Sequence, residues 1–251
     1  MKNIADIIWY DTIDSTNDQA KRMLGTLSCP TAVAAREQTA GRGQRGNSWK
    51  SDAGSNLTFS LVLKPGAGLP ENILPDCQFV ISEAVALAVK DFLETEGIHA
   101  KIKWPNDIYV SDRKICGILI ENTVNGGRLA SSIIGVGLNL NQKNFPPEIP
   151  NPVSLSILTG KTYQADSILP GLAEAVLSRL AKAAEDSMEL REAYIGAMYR
   201  KDIEARYVDT RTDMEFSGII RGISDSALLL VELPDGRTEK FAFKEIAYVI
   251  S

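Results

Sequence analysis

The sequence is short of the residues that many kinds of site require. One histidine, His99, and three scattered cysteines, Cys29, Cys77 and Cys116, stand in 251 residues. A zinc centre needs a cluster of such ligands, and none is spaced to make one. No C-x-x-C pair occurs, and an odd, dispersed set of thiols argues against a disulfide framework and for a reducing compartment. His99 follows an expected helix end at Gly97, which places it at the surface. No G-x-S-x-G elbow accompanies it, which argues against a Ser-His-Asp hydrolase. Positive charge is not in excess. The 27 Lys and Arg against 32 Asp and Glu give −5, so a broad nucleic-acid footprint is absent, while a local basic pocket remains open. No apolar run approaches membrane-spanning length. In the N-terminal "MKNIADIIWYDTIDS", Asp6 and Asp11 interrupt what a signal peptide would keep apolar. A cytoplasmic protein with no nucleic-acid or membrane partner is expected.

What is present reads as an α+β chain. Ile7–Tyr10 forms a short strand, and "DSTNDQAKRML" then turns helical, with Ser15 or Thr16 as cap and Asp18 near the positive end. Strands are expected at 31–37 and 56–63, on either side of a glycine loop. Apolar residues at 77, 81, 84, 85, 88 and 92 mark an amphipathic helix ended by Gly97. "AKIKW", "DIYV", "KICGILIE" and "SSIIGVGLNL" follow as strands, with Asn125-Gly126-Gly127 as a hairpin turn. With no crossover helices between them, they predict a mixed, largely antiparallel sheet. Helices are expected at about 167–187 and 189–201. Four short strands then follow, "EFSGIIRGI", "SALLLVEL", "GRTEKFAF" and "IAYVI", forming a small β module that packs on the rest. The expected division is 1–202 and 203–251.

The loop "AGRGQRGNSWKS" (40–51) contains Gly41-x-Gly43-x-x-Gly46. A dinucleotide-binding turn would open a helix at once and carry an acidic residue about twenty positions on. Here no helical periodicity follows, and no acidic residue lies between Asp52 and Glu71. A P-loop is also ruled out, because Asn47 stands where Lys-Ser or Lys-Thr is required. A mobile surface turn is the plain alternative. Against it stands the combination of glycine N–H groups, Arg42, Arg45 and Trp49, which suits a cover over a phosphorylated ligand with a planar base.

Three more stretches bear on this choice. "KWPNDIY" (103–109) sets Lys103, Asn106 and Asp107 around a proline turn. "DRKICGILIE" (112–121) puts Lys114 at the start of an apolar strand, and "GVGLNLN" (135–141) ends a strand at Asn139. Each alone reads as structural. Together with "DSTN" (14–17) and Gln38, they resemble the biotin protein ligases, from Asp14 through Asn141, and the terminal β module resembles that family's SH3-like domain.

The resemblance implies a class II synthetase-like catalytic fold and a two-step reaction. Biotin's carboxylate attacks the α-phosphate of Mg-ATP to give biotinyl-5′-AMP and pyrophosphate, and a carrier lysine then takes the biotinyl group. It implies ATP and Mg²⁺ as cofactors, a biotin carboxyl carrier protein or domain as partner, and room for a homodimer. Ser15, Thr16, Asn17, Gln38, Arg42, Gly43, Gln44, Lys114 and Gly117 would hold biotin. Arg45, Trp49, Lys103, Asn106 and Asn139 would hold ATP, with Trp49 near adenine. Lys114, Arg42, Lys103 and Asp107 would be the catalytic set, Asp107 also meeting magnesium and the acceptor amine. The chemistry joins two anions, so cations and backbone donors matter more than a side-chain nucleophile.

The loop departs from the family pattern at Gln44 and Asn47, where basic residues are usual. The "DSTN" motif at residue 14 leaves no expected room for the winged helix of the repressor members. The rival readings are a lipoate or octanoyl enzyme of the same fold family, for which a histidine near the glycines is expected, and a ligand-binding regulator without catalysis.

Overall fold

The computed structural model describes residues 6–250, and of Arg45 the backbone alone. The first strand, β1 (Asp6–Ile13), enters α1 (Thr16–Met23), which returns the chain to β2 (Thr31–Gln38) parallel to β1. Ser15 occupies the cap position of α1, but its side chain makes no capping bond. A 3-10 turn, Gln44–Gly46, lies in the glycine loop. After β3 (Leu57–Pro65) and the two-residue β4 (Gly68–Leu69), helix α2 (Phe79–Thr95) crosses the sheet.

Then come β5 (Lys101–Lys103), β6 (Asp107–Val110), β7 (Arg113–Asn125) and β8 (Arg128–Leu138). The sheet order is β1-β2-β3-β8-β7-β6-β5, with β4 beside β3, and every pairing is antiparallel except β1·β2 and β3·β4. Gly126 and Gly127 make the expected β7–β8 turn, both at positive φ (57° and 74°), as a two-residue hairpin of this twist requires.

Side chains alternate across a strand, so each strand faces two environments. Leu57, Phe59, Leu61 and Leu63 of β3, with Ile134, Val136 and Leu138 of β8, join the main core. Helix α2 covers that face with α4 (Ala165–Glu185) and α5 (Ser187–Gly196). The opposite face has α1 over a small cluster of Ala20, Val33, Val62 and Ile133. Next to that cluster the same face turns polar or bare: Thr58 and Ser60 of β3, Gly117 of β7, Gly135 and Gly137 of β8. This uncovered strip is where the site forms.

Two expectations about the later chain need correction. The second of the two helices ends at Gly196, not near 201, because residues 197–199 run along the edge strand β5, with Ile102 N–H donating to Ala197 O (2.9 Å) and Tyr199 N–H to Ile102 O (2.8 Å). A five-residue helix, α3 (Leu155–Thr159), was not anticipated; Ser154 caps it and Gly160 (φ 73°) ends it. The last region is a five-stranded antiparallel sheet of order β12-β11-β10-β9-β13, in keeping with an SH3-like fold. Its strands are β9 (Glu204–Asp209), β10 (Met214–Ile223), β11 (Leu229–Glu232), β12 (Thr238–Phe241) and β13 (Ile246–Tyr248). The short, charge-broken β9 has little hydrophobic pattern and escaped the sequence reading.

Candidate active site: two joined cavities

Helix α1 delivers "STN" to the bare strip. Ser15, Thr16 and Asn17 are buried, and Thr16 N–H donates to Gln38 Oε1 (2.8 Å). Asn17 is held on both sides of its amide. Its Nδ2 donates to Glu121 Oε2 (2.8 Å), and its Oδ1 accepts from the Ser60 hydroxyl (2.5 Å). A side chain at Gly135 would overlap Asn17 Oδ1, so only glycine fits there. The amide orientation is therefore fixed by a carboxylate that can only accept. Asn17, Ser15, Thr16, Gln38, Arg42, Gly43, Gln44, Asn106, Asp107, Lys114 and Gly117 all line one cavity of about 150 Å³.

A second cavity of about 510 Å³ adjoins it and is lined by Lys103, Tyr109 and Asn139. Trp49, Asp107 and Lys114 line both. Trp49 is the partition: its indole rests where side chains of Gly117 and Gly137 would otherwise stand, and its buried N–H has no partner among the described residues. Lys114 Nζ reaches Asp107 Oδ1 (2.7 Å) and lies 5.9 Å from the Trp49 ring centre. Lys114 is therefore not a solvent-facing edge residue. Its side chain is 29% exposed, and its backbone is bonded to Asn151 O (2.7 Å) and to Val153 N–H (2.9 Å).

The cover of the first cavity is the glycine loop. Gly43 N–H donates to Asn47 O (2.7 Å) and Trp49 N–H to Gly41 O (2.8 Å), which folds the loop into a narrow ribbon. Arg42 is paired with Asp18 (2.6 Å) and Glu121 (3.1 Å). Burial raises the Glu121 pKa, but bonds from Lys21 and Asn17 and the Arg42 charge outweigh it and leave the carboxyl below its ordinary range. The role expected of Arg45 concerns a side chain outside the described residues.

Two asparagines expected near phosphate are engaged with backbone. Asn106 Nδ2 donates to Ile118 O, and Ile118 N–H returns a bond to Asn106 O (3.0 Å), tying the turn to β7. Asn139 Nδ2 donates to Val153 O (3.0 Å) at the end of β8. Lys103 is half-buried; burial pushes its ammonium pKa down, against the pull of Asp107. His99 is exposed and away from both cavities. Sequence reasoning missed Asp18, Glu121 and Ser60, whose partners lie on helix α1 and in the glycine loop, far off in the chain for all but the helix's own Asp18. The alternation of Gly135 and Gly137 was a signal for a bare strip.

Among the described residues no three His, Cys, Asp or Glu side chains converge on a point that could hold a metal, and no helix is long and apolar enough to cross a membrane. The arrangement can seat two ligands end to end, with one ammonium and one carboxylate at their junction.

The model of the family "Biotin/lipoate A/B protein ligase family" matches residues 9–139. A biotin–[acetyl-CoA-carboxylase] ligase of Paracoccus denitrificans is 35% identical, over 89% of this chain and 93% of that one. The bifunctional ligase/repressor BirA of Bacillus subtilis is 31% identical, over 92% of this chain and 70% of its own. Among solved structures, the biotin protein ligase from Aquifex aeolicus in complex with biotin and ATP superposes with a TM-score of 0.76 at 26% identity, covering 99% of this chain and all of the other.

Proposed function

This chain belongs to the biotin/lipoate A/B protein ligase family, and on that premise we propose how its two joined cavities carry out the ATP-dependent activation and transfer of biotin. It is a biotin protein ligase, with biotin and ATP as substrates. The observation that carries the proposed division of labour is the sharing of Trp49, Asp107 and Lys114 by both cavities. The smaller cavity takes biotin. Its buried hydroxyl and amide groups match a ureido ring, which offers both donors and acceptors. The larger takes ATP, with Lys103 on the phosphates and the Trp49 ring beside the base.

A biotin carboxylate oxygen then meets the α-phosphorus at the junction. The new O–P bond forms as the bond to pyrophosphate breaks, giving biotinyl-5′-AMP. Lys114 balances the charge that gathers on the carboxylate and phosphate, and Arg42 with the Gly43–Gln44 segment of the loop closes over them. In the second step the amine of a carrier lysine attacks the acyl carbon and AMP leaves; Asp107 is the carboxylate placed to take the amine's proton. Magnesium reduces the charge of the triphosphate when bound. The donor set fits an ion brought with the nucleotide, since Asp107 is one carboxylate, and this ion commonly uses one or two plus phosphate oxygens. Asn106 and Asn139 hold the walls in place.

Incubation with Mg-ATP and either biotin or lipoate, followed by mass detection of the adenylate, tests this. Biotinyl-5′-AMP is expected, with transfer to an added biotin carboxyl carrier domain; an adenylate from lipoate alone would contradict it.

A further inference from the structure

Lys103 carries its charge in an unusual setting. Among the described residues its ammonium makes no salt bridge and no hydrogen bond. It lies instead over two aromatic faces, 5.0 Å from the ring centre of Tyr109 and 4.8 Å from that of Tyr248. Tyr109 belongs to β6 beside the site, but Tyr248 comes from β13, in the C-terminal sheet. The neighbouring Trp104 is held from the same direction. Its ring meets Phe243 edge-on at 5.6 Å, and its indole N–H donates to Ala227 O (3.2 Å). The C-terminal sheet thus grips the strand end at consecutive residues.

The way Tyr248 is held indicates what it does. Its hydroxyl is buried without a hydrogen-bond partner among the described residues, so the contacts it makes within the chain are those of its ring. Tyr199 (5.9 Å) and Tyr207 (5.4 Å) pack around the ring and fix its plane. An aromatic face attracts a cation without neutralising it, whereas a carboxylate would compete with phosphate for the same ammonium. Lys103 faces the larger cavity alongside Asp107 and Lys114.

We propose that Tyr248 is a positioning residue for the nucleotide half of the site: its ring holds the Lys103 ammonium in place, outside any ion pair, for the phosphates of ATP. This rests on the assignment of the larger cavity to ATP. The C-terminal sheet is then part of the activation step as well as a packing partner.

The test uses the full chain. Tyr248→Leu removes the aromatic face and is expected to raise the KM for ATP about tenfold while leaving the KM for biotin within about twofold. Tyr248→Phe keeps the face and is expected to restore the ATP value. Lys103→Met should match Tyr248→Leu, and the double variant should add little to either. An equal rise in both KM values, a Phe variant as impaired as Leu, or additive losses would overturn the proposal. A second readout needs neither turnover nor a variant. In protein labelled at lysine Cε, the Lys103 methylene should show ring-current shielding and contacts to Tyr248 ring protons. Their absence overturns the proposal even if biotin is activated normally. Their presence in a protein that makes no biotinyl-5′-AMP would leave the clamp standing and contradict the assigned reaction instead.

Discussion

The floor and the cover of the smaller cavity are held by different kinds of contact. In the floor, Asn17, Thr16 and Ser60 are buried and bonded to one another, to Glu121 and to Gln38. In the cover, Arg42 is held by ion pairs whose side chains are 22–38% exposed. Exposed pairs of this kind contribute about 0–1 kcal/mol each, whereas a buried polar group left without its partner costs about 1–3 kcal/mol. The floor is therefore fixed. The cover rests on contacts weak enough for a ligand anion to exchange, with the carboxylates of Asp18 and Glu121 holding Arg42 in the meantime. The proposed function assigns recognition to the first region and retention to the second.

The junction between them should give the largest effect. Lys114→Ala is expected to lower the rate of adenylate formation about a hundredfold or more, as for other preorganised electrostatic groups, with a retained thermal transition. A folded variant with near-normal turnover would remove Lys114 from the chemistry. Next, Gly135→Ala and Gly137→Ala separate floor from cover. An added methyl at 135 meets Asn17, and should weaken biotin binding by roughly tenfold or more and lower the melting temperature, since overpacking costs about 1–3 kcal/mol. The same methyl at 137 meets the Trp49 ring, and should displace the loop while the melting temperature changes less. Calorimetric titration with biotin and thermal melts of both variants check this; identical behaviour would erase the distinction.

A retention effect is expected at Gln44, in the 3-10 turn of the loop. Gln44→Arg adds a charged, forked donor near phosphate, and should slow release of labelled biotinyl-5′-AMP roughly tenfold. An unchanged release rate would mean that position 44 points away from the anion. The smallest effect is Asp18→Asn, which frees Arg42 from its shorter pair and should tighten adenylate binding by about two- to threefold, fading as salt is raised.

Much of this was legible in the sequence. The alternation of Leu57, Phe59, Leu61 and Leu63 with Thr58, Ser60 and Val62 is written in the chain, as are the turn at Gly126-Gly127 and the motifs that meet at the cavities. The partners of those motifs were not. Glu121 sits in an apolar strand, and nothing local says that it will meet Asn17, Lys21 and Arg42 from 79 to 104 positions away. Trp49 was expected beside a base; its place on Gly117 and Gly137, as the wall between two cavities, depends on a loop and two strands meeting. Asn106 and Asn139 look like phosphate ligands in sequence because amides suit that role; that their amides also brace backbone ends is something only the fold brings about. Tyr248 lies outside every motif, and its relation to Lys103 follows from how the two sheets pack.

The fixed floor and exchangeable cover can be separated in one measurement, amide hydrogen exchange on the free protein, with biotin, and with biotin plus Mg-ATP. Amides of residues 15–17 and 58–60 should be protected alike in all three states. Amides of 41–51 should exchange fast in the free protein and become protected when biotin and ATP are both present, because Gly41, Gly43 and Gly46 make the free loop entropically expensive to fix. Protection of 41–51 that is already complete without ligand, or a floor that becomes ordered together with the loop, would contradict it.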